Sequence, residues 1–288
     1  MADRVGRHPD LVMTRTPLRV SFAGGGTDLR DFYRHEPGAV FSTTINKYVY
    51  VTVKRHGRLF DEAYRLNYAE TEHARKLDAI KNDIARECLR LVHVDPPLYI
   101  STVGDLPASS GLGGSSSFAV GLLRALHAMR GERVSSAQLV EEAVHVEVGV
   151  LKRPIGKQDH AAAAYGGLNF FRFLPDDGVS LEPHSPAPQT LEALFAHIQM
   201  FWTGITRDSQ SVLTEQKRNT GGKMDYLRAM RDQAEELNRL VRGKFDVEAF
   251  GRTLHAGWRM KRQLASTISS TQIDTWYENG LEVGAYGG

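Results

Sequence analysis

The sequence holds a single cysteine, Cys88, three tryptophans, and no apolar run approaching the length that spans a bilayer. One thiol excludes a disulfide framework and a multi-cysteine zinc centre, so a reducing compartment is the simple expectation. Cys88 falls in a segment of helical character, where packing is its expected role. The polar N-terminal stretch, Met1 to Val12, lacks the apolar centre of a signal peptide. An excess of either charge is also missing. Lys and Arg number 36 against 34 acids, a net of +2, which argues for neither nucleic acid nor a membrane surface. Blocks of like charge, internal repeats and low-complexity tracts are absent as well. These exclusions lead to the expectation of a soluble cytoplasmic chain. Its 288 residues suffice for one large or two small domains.

What is present is a change of character along the chain. Arg15 to Ala23 alternates, with Leu18, Val20 and Phe22 on one face, and predicts a half-buried strand. Further strands are expected over Tyr48–Lys54, Leu66–Tyr68, Leu98–Val103, Leu168–Phe173 and His197–Thr203. Helices are expected over His73–Leu91, Ser115–Met129, Ala137–Leu151 (capped by Ser135 or Ser136) and Gln158–Tyr165. The last third reads as helical throughout: Asp208–Arg218, Met224–Arg242, Val247–Leu264 and Ile273–Val283. Strands early and helices late predict an α+β protein. Pro175 to Pro188 reads as a loop. It divides an expected first domain, 13–175, from a second, 176–288, with 1–12 a flexible extension. The three tryptophans, Trp202, Trp258 and Trp276, are scattered, and core packing is their expected role.

The stretch Pro107-Ala108-Ser109-Ser110-Gly111-Leu112-Gly113-Gly114-Ser115-Ser116-Ser117 joins a strand to an amphipathic helix. Glycines permit unusual dihedrals and close approach of a ligand to the backbone. Free N–H groups at the start of the following helix favour phosphate. The stretch is read as a phosphate loop in preference to a flexible linker with a serine cap. It is not a Walker A loop, since Gly156-Lys157 is followed by Gln158. The signatures of protein kinases are absent too.

Two carboxylates stand out. Asp159 follows the Gly156 turn at the start of a helix. A general base and a first-turn aspartate resting on the helix dipole are equally good readings of the residue alone. At helical spacing Glu147 shares a face with Val140, Val144 and Leu151, which is costly unless the charge is paired or binds metal. The alternative to a metal is a buried arginine partner such as Arg19 or Arg153. Lys157 is a candidate for phosphate neutralisation, or a surface lysine beside a turn. His145-Val146-Glu147 resembles the deaminase zinc motif, but its Pro-Cys-x-x-Cys partner is missing.

Pro107-x-x-x-Gly111-Leu112-Gly113-x-Ser115-Ser116 resembles the central ATP-binding motif of the GHMP kinases. Thr16-Pro17-Leu18-Arg19-Val20-Ser21-Phe22-Ala23-Gly24-Gly25-Gly26-Thr27-Asp28 resembles that superfamily's first motif. With Gly156-Lys157-Gln158-Asp159, the pattern is most similar to the D-glycero-D-manno-heptose 7-phosphate kinases within it. The resemblance implies the GHMP kinase fold: a mixed N-terminal domain like ribosomal protein S5 domain 2, and a helix-rich ferredoxin-like C-terminal domain. It implies transfer of phosphate from ATP, with Mg²⁺, to the anomeric hydroxyl of the sugar phosphate. The implied roles are Asp159 as base, Arg19 for charge stabilisation, and Gly26, Thr27, Asp28 and Lys157 for substrate. Pro107, Ser109, Ser110, Gly111, Leu112, Gly113, Gly114, Ser115 and Ser116 are implied for nucleotide, and Glu147 and Ser115 for metal. Ser115 is expected to replace the superfamily's usual metal-binding serine, whose place Gly114 takes. The chain ends at Gly288 before the superfamily's third Gly-rich motif, so a truncated C-terminal domain is expected. A homodimer is compatible with the resemblance. The alternatives are a GHMP kinase for another sugar, such as galactose or fucose, and a GHMP-fold regulator without catalysis.

Overall fold

The computed structural model describes residues 8–57, 59–184, 186–204, 224–263 and 268–288. The chain divides into two compact units. Unit 1 comprises Met1–Arg19, Thr44–Arg153 and Asp159–Gly166. Unit 2 comprises Val20–Thr43, Pro154–Gln158 and Gly167–Gly288. The units are interleaved in sequence, and the expected boundary at 175/176 falls inside unit 2.

Two long strands, β1 (Leu11–Ala23) and β2 (Gly38–Arg55), pair with each other and pass from one unit into the other. In unit 1, β2 continues into an antiparallel pairing with β5 (Leu98–Gly104), and β3 (Tyr64–Asn67) runs parallel to β5. A hairpin joins β3 to β4 (Thr71–Ala74). Alternation places Val49, Val51 and Val53 of β2 inward. Leu98 and Ile100 of β5 are buried, as are Leu122, Leu123 and Leu126 of α3 (Gly114–Met129). Gly121 lets α3 approach β1 closely, since a Cβ there would lie 2.6 Å from Thr16 Oγ1. The buried Cys88 lies in α2 (Asp83–Leu91), where burial raises its thiol pKa and leaves it a packing residue.

In unit 2, the first half of β2 pairs antiparallel with β6 (Leu168–Phe173), which pairs with β7 (Val179–Pro183). Ala39, Phe41, Leu168 and Phe170 form a core with Leu194 of α6 (Pro188–Ala196). Ala234, Leu237 and Val241 of α7 (Met224–Arg242) and Phe250 of α8 (Val247–Lys261) complete it. The last helix, α9 (Thr271–Glu282), is capped by Ser270, whose hydroxyl accepts from the Ile273 N–H. No helix among the described residues is long and apolar enough to cross a membrane.

Several expectations need correction. The helix expected over His73–Leu91 is instead β4, a short 3-10 turn at Leu77–Ala79, and α2. Asn82 caps α2 by accepting from the Ala85 N–H, while His73 pairs with Arg65 across the β3–β4 hairpin. The strand expected at Tyr48–Lys54 begins ten residues earlier, at Gly38. Ala39, Val40 and Phe41 are all fully buried, so this half carries no alternation. The loop expected over Pro175–Pro188 contains β7, and Pro188 opens α6. The strand expected at His197–Thr203 is absent among the described residues, since His197 closes α6. The helix expected over Asp208–Arg218 lies outside the described residues, as does Leu264. Trp202 and Trp276 are substantially exposed rather than core.

Glu72 illustrates how the irregular stretch before α2 is held. It is buried, and its oxygens accept from Tyr68 Oη and from the Lys81 and Asn82 N–H groups. Burial would raise its pKa, but these donors outweigh burial and hold it below 4.5. Stability from such a group is present at neutral pH and lost as the pH falls through its folded-state value. Glu72→Gln is expected to cost on the order of 2 kcal/mol at pH 7, read as a denaturation midpoint. The variant's stability should also fall less steeply than wild type below pH 4.5, the group's ordinary value.

Candidate active site

The strand-to-helix loop of unit 1 is built from residues in unusual backbone conformations. Ser109, Gly111 and Gly113 have φ of 61°, 77° and 78°. Pro107, Ser109, Gly111 and Ser115 are exposed, while Ser110, Leu112, Gly113 and Gly114 are half-buried. Gly113 occupies the cap position of α3 and brings no side chain to the first-turn N–H groups. Cβ atoms at Gly111 or Gly114 would meet nothing within 4 Å. An uncapped sixteen-residue helix behind an open glycine loop suits an anion, and so fits the phosphates of ATP.

Arg19 ties β1 to this loop. Its backbone N–H donates to Leu112 O at 3.1 Å, and its Nη1 to Gly111 O at 2.8 Å. Its Nε and Nη2 grip Asp159 Oδ1 at 2.7 and 2.6 Å. Asp159 sits in the first turn of α5 (Gln158–Tyr165), as expected. Its Oδ2 has no protein partner among the described residues and lies 3.4 Å from where a Gly113 Cβ would be. The arginine thus fixes one carboxylate oxygen and leaves the other facing the loop. The structure therefore brings Arg19, Asp159 and the loop together.

Glu147 is fully buried. Residues Ala137 to Leu151 do not form one continuous α-helix: α4 (Ser136–Val144) gives way to a π-helical turn at His145–Val150. The Leu151 N–H there reaches back five residues to Val146 O. The wider turn leaves Val144 and Leu151 half-buried while enclosing Glu147. Glu147 Oε1 accepts from Arg153 Nη1 at 3.0 Å. Its Oε2 lies 3.0 Å from Ser116 Oγ and 2.8 Å from His160 Nε2. Burial would raise this carboxyl, but His160, Arg153 and Ser116 together hold it below the usual carboxylate range.

The arginine-partner alternative for Glu147 is therefore realised through Arg153, which also reaches Asp83 at 2.8 Å. The loop hydroxyl that meets Glu147 belongs to the buried Ser116, one residue beyond the exposed Ser115. With both oxygens engaged and a guanidinium at 3.0 Å, Glu147 does not fit a Mg²⁺ ligand in this geometry. Among the described residues no cluster of three His, Cys, Asp or Glu side chains is arranged to hold a metal. His160 is the participant that sequence reasoning missed. Its signal was adjacency to Asp159, which says nothing of a partner thirteen residues earlier.

Unit 2 holds the remaining candidates. Gly24 and Gly26 turn the chain with φ of 89° and 102°, and Thr27 and Asp28 are buried behind them. Thr27 Oγ1 lies 2.8 Å from Gly24 O and 2.9 Å from Ala39 O. Asp28 Oδ1 accepts from the Gly26 N–H at 2.9 Å and Gln158 Nε2 at 3.2 Å, and Oδ2 from the Gln158 N–H at 3.1 Å. Gly156 is obligatory beside them, because a Cβ there would lie 2.0 Å from Asp28 Oδ2. Gly26, Thr27 and Asp28, expected at the substrate, are thus occupied in shaping this turn and setting Gln158. Lys157 is no loose surface lysine. It is 8% exposed, its Nζ donates to Asp177 O at 2.7 Å, and burial pulls its pKa down.

Residues 76–167 match the family described as GHMP kinases N terminal domain, and the relatives that the rest of the chain resembles are kinases. Among curated relatives it is 28% identical to the D-glycero-alpha-D-manno-heptose 7-phosphate kinase of Campylobacter jejuni, over 96% of this chain and 85% of that protein. It is 23% identical to the galactokinase of Pyrococcus furiosus, over 96% and 84%. Among solved structures it resembles a D-glycero-D-manno-heptose 1-phosphate kinase from Bacteroides thetaiotaomicron, with TM-score 0.75 and 23% identity over 96% of this chain and 84% of that one. The Streptococcus pneumoniae phosphomevalonate kinase has TM-score 0.71 at 16% identity, over 94% and 86%. These structures share the fold.

Removing the buried carboxylate should be severe. Glu147→Ala leaves the Arg153 guanidinium without its buried carboxylate and His160 without its hydrogen-bond partner, and is expected to cost about 3–5 kcal/mol in urea denaturation. Glu147→Gln keeps two of the contacts and should lose less. Equal midpoints for both variants and wild type would show that the network is not structural.

Proposed function

We propose that the chain transfers the γ-phosphate of ATP to the anomeric hydroxyl of a heptose 7-phosphate. The observation that carries the reading is the Arg19–Asp159 pair against the glycine loop, with one aspartate oxygen held and the other open. The similarity to the Campylobacter jejuni heptose 7-phosphate kinase supports the choice of sugar. Asp159 Oδ2 accepts the proton of the attacking hydroxyl, a contribution of order 10²–10⁴ in rate. Arg19 keeps Oδ1 from rotating away and lends positive charge beside the reacting phosphate. The first-turn N–H groups of α3 and the loop N–H groups hold the nucleotide phosphates. Mg²⁺ arrives as the counter-ion of ATP, and no step is assigned to Glu147 or Ser115 as its ligands. Galactose is the second acceptor worth testing, given the galactokinase similarity.

The test is ADP release with ATP and MgCl₂ across heptose 7-phosphate, mannose, galactose, fucose and mevalonate. Turnover is expected with the heptose phosphate and should fall at least about 10²-fold in Asp159→Asn. A different preferred acceptor would reject the proposed sugar. Full activity in Asp159→Asn would reject the base. Binding of ATP with no turnover on any acceptor would favour a regulator.

A further inference from the structure

Unit 2 contains a cationic cluster that the proposed phosphoryl transfer does not use. Three donors from two separate segments converge on one carboxylate, that of Asp177. Lys157 Nζ lies 2.7 Å from Asp177 O and 3.3 Å from its Oδ1, and sits 4.7 Å above the Tyr33 ring. Tyr33 Oη donates to Asp177 Oδ1 at 2.8 Å, and Arg30 Nη2 to Oδ2 at 3.1 Å. Arg30 and Tyr33 belong to the short helix α1 (Arg30–Tyr33).

The donors and the acceptor differ in character. Lys157 and Tyr33 are buried at 8% and 2% exposure, whereas the Asp177 side chain is 46% exposed. Asp177 occupies the tight turn between β6 and β7, in the left-handed region at φ 69°. A buried ammonium needs an anion, and here the anion comes from an exposed hairpin tip. Burial and Asp177 both raise the Tyr33 hydroxyl pKa, so it remains a donor. Burial would raise Asp177, but Tyr33, Lys157 and Arg30 outweigh it and hold the carboxylate ionised. Asp176 and Asp28 are the other acids that act on this cluster. Asp176 Oδ1 is taken by the Gly178 N–H, and Asp28 by the glycine turn.

An ammonium, a guanidinium and a phenol in one place match the three oxygens of a phosphate monoester better than the two of a carboxylate. We infer that Arg30, Tyr33 and Lys157 form a subsite for a phosphate monoester carried by the acceptor substrate, and that Asp177 fills it when no substrate is bound. This deepens the sugar-phosphate reading above and rests on it. Substrate phosphate displaces the Asp177 carboxylate into solvent, where its position on an exposed turn lets it go. The exchange sets a preference for phosphorylated over unphosphorylated sugar. Asp177 acts through competition and is a positioning residue.

The experiment uses the full chain. KM and kcat are measured for heptose 7-phosphate and for unphosphorylated heptose at saturating ATP, and KM for ATP separately. Thermal shifts with inorganic phosphate are compared with chloride at equal ionic strength. Asp177→Asn keeps the left-handed turn but removes the competing charge. It should lower KM for the phosphorylated sugar several-fold and let inorganic phosphate stabilise the protein at lower concentration. Lys157→Met and Arg30→Met should each lower the preference for phosphorylated over unphosphorylated sugar by about tenfold, one charge-assisted bond. Arg30 is half exposed, so its variant reads the subsite even if Lys157→Met fails to fold.

If heptose 7-phosphate is turned over and these variants leave the preference unchanged, the subsite is overturned while the kinase reading stands. A change confined to KM for ATP would also overturn it, since the phosphate would be the nucleotide's. If no sugar phosphate is a substrate, the kinase reading fails and the inorganic phosphate shifts decide the subsite. Stronger shifts in Asp177→Asn and weaker ones in Arg30→Met would uphold it, and identical shifts would overturn it.

Discussion

A carboxylate with no exposed surface organises unit 1. Withdrawing Glu147 from water is expensive, and the cost is offset only if several donors reach it in good geometry. The donors come from three places: Ser116 in the first turn of α3, His160 in the first turn of α5, and Arg153 just after the π-helical turn. Each contact ties down an element that carries something else. Ser116 follows the glycine loop directly, and His160 adjoins Asp159. Arg153 extends the network to Asp83 at the start of α2. The glycine-serine loop and the candidate base are thus anchored on a charge that itself faces no solvent.

Unit 2 answers a similar demand with different chemistry. Asp28 is buried behind a glycine turn, and the close approach of Gly156 is possible because glycine has no Cβ. The backbone and side-chain N–H groups of Gln158 then satisfy the carboxylate. One residue earlier, the buried ammonium of Lys157 finds its anion on a hairpin tip instead of in the core. The contrast between an enclosed acid and a cation with an exposed partner separates a structural contact from one that a ligand can replace.

Much of this was legible along the chain where local signals agreed. The helices Gln158–Tyr165 and Met224–Arg242 and the strand Leu168–Phe173 stand at the expected residues, because periodicity and their glycine or loop flanks pointed the same way. Of the two serines expected as caps, Ser135 takes the role at α4. Reading failed where a segment's partner lay far off. The buried half of β2 has no alternation because it is covered on both faces. The stretch His73–Leu91 reads as helical, yet its first part is a strand fixed by pairing with β3. Trp202 and Trp276 carry no local sign of whether anything covers them.

The sequence by itself determined the glycine-serine loop between strand and helix, the aspartate after Gly156, and the charge buried at Glu147. Each follows from residue chemistry that acts over a few neighbours: backbone freedom, a helix start, an acid among apolar residues. The tertiary structure alone decided which groups meet. Arg19 reaches Asp159 from 140 residues away, Ser116 supplants Ser115 at Glu147, and Lys157 reaches Asp177 on the β6–β7 turn. Those choices depend on directions and distances across the packed core, and a one-dimensional pattern does not encode them.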